Sequence, residues 1–177
     1  FFFFFRFAGE KGADLLPEIV RKSIQDTNGS LNVMILGSGD KNIENQLSDL
    51  KNTYTNFALD LGYKEYLSHK IYASSDFLLM PSRVEPCGLN QMYAMRYGTV
   101  PIVRYIGGLR DTVEDISTGG SGINFGNATA EDTVNAMKRA LHIYHEQGLM
   151  DQLVYSNMGF NFSWEESANR YLVLYRR

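Results

Sequence analysis

SDFLLMPSRVEPCGLNQMYAMRYGTVPIVRYIGGLRD, residues 75–111, reads as strand, loop, helix, strand, loop, and that order decides the fold. Asp76–Met80 is a short apolar run of the kind a buried parallel strand shows. Pro81 stops it, and PSRVEPCG is loop chemistry. Leu89–Tyr97 reads as a helix rich in good helix formers, with Gly98 placed as its C′ residue. Val100–Val103 is a second strand, and Gly107-Gly108 ends a second loop at the same edge. A carboxylate-bearing loop running straight into a helix N-terminus suits a ligand with both hydroxyls and phosphate. The exposed amides and the helix dipole favour the anion by roughly 0.3–1 kcal/mol.

Upstream, the alternation continues. Phe1–Phe7 is a continuous aromatic strand, expected to be buried on both faces. A turn over Ala8-Gly9-Glu10-Lys11-Gly12 leads into a helix reaching about Gln25, with Pro17 tolerated in its first turn. Leu31–Leu36 is the next strand, closed by Gly37-Ser38-Gly39-Asp40, and a helix follows from about Lys41 to Lys51. Tyr54–Leu59 is a third strand and Lys64–Ala73 a helix leading into Asp76. Downstream, Thr118–Gly122 is a loop, and Thr129 with Asp132 opens a helix with Val134, Met137, Leu141 and Tyr144 as its apolar stripe. Ser163 and Glu166 open a last helix, Trp164–Arg176, with Trp164, Ala168, Tyr171, Leu172 and Tyr175 on one face. Strict strand–helix alternation predicts an α/β fold: a Rossmann-like, doubly wound parallel sheet of about six strands with helices on both faces.

The bulk properties exclude several classes. A chain of 177 residues is enough for one α/β domain, and 44% hydrophobic with 21% charged residues is ordinary globular composition. A net charge of −3 without any Lys/Arg run argues against a nucleic-acid partner. A single cysteine rules out an internal disulfide, which fits a reducing compartment. No apolar run reaches the roughly 18 residues of a membrane helix, and the opening FFFFFRF is too short for a signal-peptide core. With no initiator Met and an apolar run at its start, the chain is expected to be a piece of a longer protein.

The string PSRVEPCGLNQMYAMRYGTVPIVRYIGGLRDT, residues 81–112, resembles the signature of bacterial glycogen synthases and plant starch synthases, and the likeness extends more weakly over nearly the whole chain. Those are retaining glucosyltransferases of the two-domain GT-B architecture. The resemblance implies that residues 1–177 are the C-terminal, nucleotide-sugar-binding domain, with residues 163–177 packing toward an N-terminal domain or docking on their own. It implies ADP-glucose or UDP-glucose as donor, an α-1,4-glucan as acceptor, no metal or other cofactor, no membrane and a cytoplasmic location. Carried over residue by residue, Arg6 and Lys11 would clamp the departing diphosphate, where a pair of cations stabilises growing negative charge. Glu85 would bind sugar hydroxyls and stabilise positive charge at the anomeric carbon. Cys87, Gly88, Leu89 and Asn90 would offer amides to the phosphates, Gly107 and Gly108 would line the sugar pocket, and Tyr63 would stack on the base.

Each of these residues also has a plainer reading: Arg6 and Lys11 as surface cations, Glu85 as a solvated loop residue, Gly107-Gly108 as a turn, Tyr63 as packing. Their joint presence with Glu85-Pro86-Cys87-Gly88-Leu89 favours the site. Two other functions stay open on residues alone: a GT-B transferase with another acceptor, and a sugar-nucleotide-binding module without catalysis. Weaker motifs carry nothing. Gly37-Ser38-Gly39 is followed by Asn42 in the third glycine position of a dinucleotide fingerprint. His69, His142 and His145 lack partners at metal-ligand spacing.

Overall fold

A computed structural model describes residues 1–176, and of residues 4 and 5 the backbone only. Its strands are β1 (Phe2–Phe7), β2 (Val33–Gly39), β3 (Phe57–Leu61), β4 (Phe77–Met80), β5 (Val100–Arg104) and β6 (Ile123–Phe125). Its helices are α1 (Leu16–Asp26), α2 (Lys41–Thr53), α3 (Glu65–Ser74), α4 (Asn90–Tyr97), α5 (Gly107–Thr112), α6 (Ala130–His145), α7 (Leu149–Met158) and α8 (Trp164–Tyr175). The six strands are parallel in the order β3-β2-β1-β4-β5-β6, the doubly wound arrangement expected from the alternation.

The position of β1 explains its aromatic content. Successive side chains of a strand point to opposite faces, and a central parallel strand is covered on both. Phe3 and Phe7 enter the layer formed with α1, α2 and α6, beside Val20, Leu47 and Val134. Phe2 enters the opposite layer with Ile71, Met95 and Leu109, from α3, α4 and α5. Each such side chain contributes about 1.5–3 kcal/mol by leaving water. Pro17 sits in the first turn of α1, where its missing N–H costs nothing. Asp40 caps α2, accepting from the amides of Asn42 and Ile43. Gly98 ends α4 with φ at 83°.

Several boundaries depart from the sequence reading. β2 runs through Gly37-Ser38-Gly39, because Phe5, Arg6 and Phe7 pair with those residues and the neighbouring strand outweighs glycine's weak strand preference. β3 starts at Phe57 rather than Tyr54: Tyr54 ends α2, and the Asn56 side chain donates to Leu31 O at 2.7 Å. Gly107-Gly108 opens α5 instead of forming a turn. Strand β6 and helix α7 have no counterpart in that reading. Thr129 does cap α6, but the Asp132 carboxylate binds the amide and side chain of Asn127 instead of returning to Thr129. The α6 stripe is Val134, Met137, Ala140 and Ile143, while Tyr144 is about half exposed. Ser163 caps α8 through the amide of Glu166, yet no residue of α8 is buried.

Candidate functional site

In a doubly wound sheet, ligands bind beyond the carboxyl ends of the strands where the winding reverses. Here that point lies between β1 and β4, which are registered only through Phe2 and Leu78 and then part. The turn after β1 carries Lys11, and the loop after β4 carries Glu85.

The two loops are tied together by backbone and arginine. The amides of Arg83 and Val84 donate to Glu10 O at 2.8 and 3.0 Å. Arg83 Nη1 donates to Gly9 O at 2.8 Å, and its Nη2 to Asp14 Oδ2 at 2.8 Å. The hydrogen-bonded Arg83 guanidinium holds the Asp14 carboxyl below its ordinary range. Arg104 Nη1 reaches from β5 to the carbonyls of Ser82 and Arg83 at 3.2 and 3.0 Å. Gly12, at φ +69°, sits against Pro81, where a Cβ would overlap the carbonyl oxygen and lie 3.1 Å from its carbon.

This bracing brings Lys11 onto Glu85. Lys11 Nζ donates to both carboxylate oxygens, at 2.9 Å to Oε1 and 2.7 Å to Oε2, and Ser82 Oγ donates to Oε2 at 3.1 Å. Glu85 is only 8% exposed, and a carboxylate that far from water requires such partners. The pair faces a cavity of about 290 Å³ that Ser82, Gly88, Leu89 and Asn90 also line. That is room for a group the size of a sugar ring. A larger surface cavity of about 1090 Å³ around Tyr105, Asp115 and Phe160 contains none of the residues singled out from sequence. The smaller one holds the Lys11–Glu85 pair at the point where the winding reverses.

The structure therefore joins Lys11, Glu85, Gly88, Leu89 and Asn90 around one cavity, with Cys87 beside it. Gly107 and Gly108 lie under the loop instead of lining the cavity: the Gly108 amide donates to Glu85 O at 2.9 Å, and a Cβ on either glycine would overlap the carbonyl of Glu85 or Cys87. Arg6, the last residue but one of β1, has an exposed side chain paired to Glu10 at 2.8 Å. An exposed pair of this kind contributes little, so an incoming anion can exchange for Glu10. Tyr63 follows β3 on the same sheet edge, 73% exposed. β3 itself lies three strand spacings from β4, about 14 Å, the scale of an extended nucleotide-sugar. No local pattern in the sequence marks Ser82, Arg83, Arg104 and Gln91, since their roles depend on partners brought by other loops. Among the described residues no three His, Cys, Asp or Glu side chains converge to hold a metal ion.

The model of the family "Glycosyl transferases group 1" matches residues 1–154. A glycogen synthase of Flavobacterium johnsoniae is 46% identical over 99% of this chain and 37% of its own length. Among solved structures, the catalytic domain of starch synthase IV from Arabidopsis thaliana, bound to ADP and acarbose, superposes with a TM-score of 0.84 at 36% identity, over 99% of this chain and 37% of that one. A sucrose-phosphate synthase of Thermosynechococcus elongatus shares the fold, with a TM-score of 0.74 at 22% identity over 99% of this chain and 44% of that one. The chain thus spans a little over a third of the length of the glycogen synthase it matches.

Proposed function

This chain belongs to the group 1 glycosyl transferases, and we propose from that premise that it is the donor-binding domain of a glycogen or starch synthase. The observation that carries the reading is the Lys11–Glu85 pair, set in the crevice where the sheet reverses and beside the N-terminus of α4. The donor is ADP-glucose or UDP-glucose, and the ADP held by the Arabidopsis neighbour favours the former. On binding, Lys11 and Arg6 exchange their carboxylate partners for the diphosphate, which frees Glu85 to take hydroxyls of the glucose. The bond between the anomeric carbon and the diphosphate oxygen breaks with its electrons going to the diphosphate, whose charge the two cations and the loop amides stabilise. The non-reducing-end hydroxyl of an α-1,4-glucan forms the new bond on the same face and passes its proton to the oxygen of the departing diphosphate, so the anomeric configuration is retained. Arg6 and Lys11 supply the positive charge that a metal ion would otherwise bring.

Acceptor contacts come from the part of the protein outside this chain. The unburied face of α8, with Trp164 90% exposed, is the surface that turns toward it. A cytoplasmic location goes with the glycogen-synthase reading; no helix among the described residues is long and apolar enough to cross a membrane. Calorimetric titration of the full-length protein with ADP, UDP and phosphate tests the reading. Micromolar binding corresponds to about −8 kcal/mol. Binding that is lost in the Arg6→Ala/Lys11→Ala double variant supports the site; nucleotide affinity unchanged by the double variant refutes it.

A further inference from the structure

Gln91, in the first turn of α4, is fully buried. Its Nε2 donates to the carbonyls of Cys87 and Gly88, at 3.1 and 2.9 Å, and to Thr112 Oγ1 at 3.0 Å. Thr112 Oγ1 in turn donates to Gly108 O at 2.6 Å, so the glutamine is anchored to α5. No peptide among the described residues is cis, and in a trans peptide plane the carbonyl and the following N–H point in opposite directions. Pulling the carbonyls of Cys87 and Gly88 inward to Gln91 therefore turns the N–H groups of Gly88 and Leu89 outward. Those two amides meet no acceptor among the described residues, and both residues line the cavity that holds Lys11 and Glu85. Gly88 itself, at φ +75°, leaves room for the glutamine: a Cβ there would come within 2.9 Å of Gln91 Nε2.

The glutamine is not held here without cost. Its Oε1 is buried with no hydrogen-bond partner, an arrangement that an apolar side chain of the same volume would avoid. We infer that Gln91 is a positioning residue that holds the Cys87–Gly88–Leu89 backbone inside out, presenting two amides to the phosphates of the donor. The inference rests on the donor-site reading above and adds to it the group that builds the anion-binding face.

The test compares a nucleoside with its diphosphate in the full-length protein. Gln91→Met fills the volume without a donor, and Gln91→Asn keeps an amide one methylene too short to reach. Calorimetry with ADP and adenosine, and with UDP and uridine, is run beside thermal unfolding. Both variants are expected to bind the diphosphate at least tenfold more weakly, about 1.4 kcal/mol, with nucleoside affinity unchanged. Gln91→Met is expected to unfold at a lower temperature than the parent, because the carbonyls of Cys87 and Gly88 lose their donor, while staying folded at the temperature of the titration. If diphosphate and nucleoside weaken in parallel, or if a folded variant keeps full diphosphate affinity, Gln91 is a structural residue and the inference fails. If the parent protein binds no diphosphate, the donor-site reading fails with it. A parent that binds and a variant that binds equally overturns the Gln91 inference alone.

Discussion

Gly12→Ala separates two effects that the structure places on one residue. Gly12 has φ at +69°, and its missing Cβ faces the Pro81 carbonyl. Gly119, at φ +84°, has nothing within 4 Å of where a Cβ would go. Alanine at Gly119 therefore meets only the left-handed backbone penalty, about 1–2 kcal/mol. Alanine at Gly12 meets the same penalty plus an overlap with a backbone atom, which no rotamer relieves and which adds about 1–3 kcal/mol. In a domain of this size each kcal/mol lowers the unfolding temperature by about 2–4 °C. Gly119→Ala should then lose about 2–8 °C, and Gly12→Ala some 2–12 °C more. The overlap also pushes the turn carrying Lys11 away from the loop carrying Glu85, so Gly12→Ala should weaken ADP binding while Gly119→Ala leaves it alone. Scanning calorimetry and ADP titration on both variants give the two numbers. Equal unfolding temperatures, or Gly12→Ala with parental ADP affinity, would show that the Gly12–Pro81 apposition does not position Lys11.

Two further outcomes follow from single residues. Tyr63→Ala should weaken adenosine and ADP binding equally, by about tenfold, since stacking on a base is worth roughly 1–3 kcal/mol; a loss confined to ADP would mean that Tyr63 serves the phosphates instead. Asp115 has a carboxyl held at about 2: burial raises it, but the Arg139 guanidinium at 2.8 Å, the Asn124 amide and Ser117 together lower it more. Because the folded value lies below the unfolded one of about 3.9, its contribution is complete above that pH and lost as pH falls through about 2. Asp115→Asn should thus be less stable than the parent at neutral pH, by about 1 kcal/mol after solvent screening, with the gap closing toward pH 2 in thermal scans. A gap that persists at that pH contradicts the assignment.

How far the sequence could be read depended on whether a feature was local. The run from Phe77 to Val103 shows its strands and helix directly, because continuous apolar residues and the stops at Pro81 and Gly98 are local signals. The ends of β2 and β3 are not local. Gly37 and Gly39 are extended because Phe5 and Phe7 lie alongside, and Tyr54 is drawn into the end of α2. Strand β6 is three residues long, too short for a period to show. The same division holds at the site. The stretch around Glu85 stands out by its resemblance, whereas Gln91, Ser82 and Arg104 matter through partners on other elements that only folding supplies. Gly107-Gly108 looks like a turn in sequence; its use is the close approach of α5 to the carbonyls of Glu85 and Cys87.

The most direct test of the donor-site account is Glu85→Gln in the full-length protein, assayed for glucose transfer from ADP-glucose and from UDP-glucose to an α-1,4-glucan, with ADP affinity measured on the same sample. The account predicts loss of transfer by at least about a hundredfold, the scale for removing one group that stabilises transition-state charge, with ADP binding retained or tightened because Lys11 is released from its partner. Transfer at the parental rate by Glu85→Gln, or a parent protein that binds ADP and transfers no glucose from either donor, would contradict it.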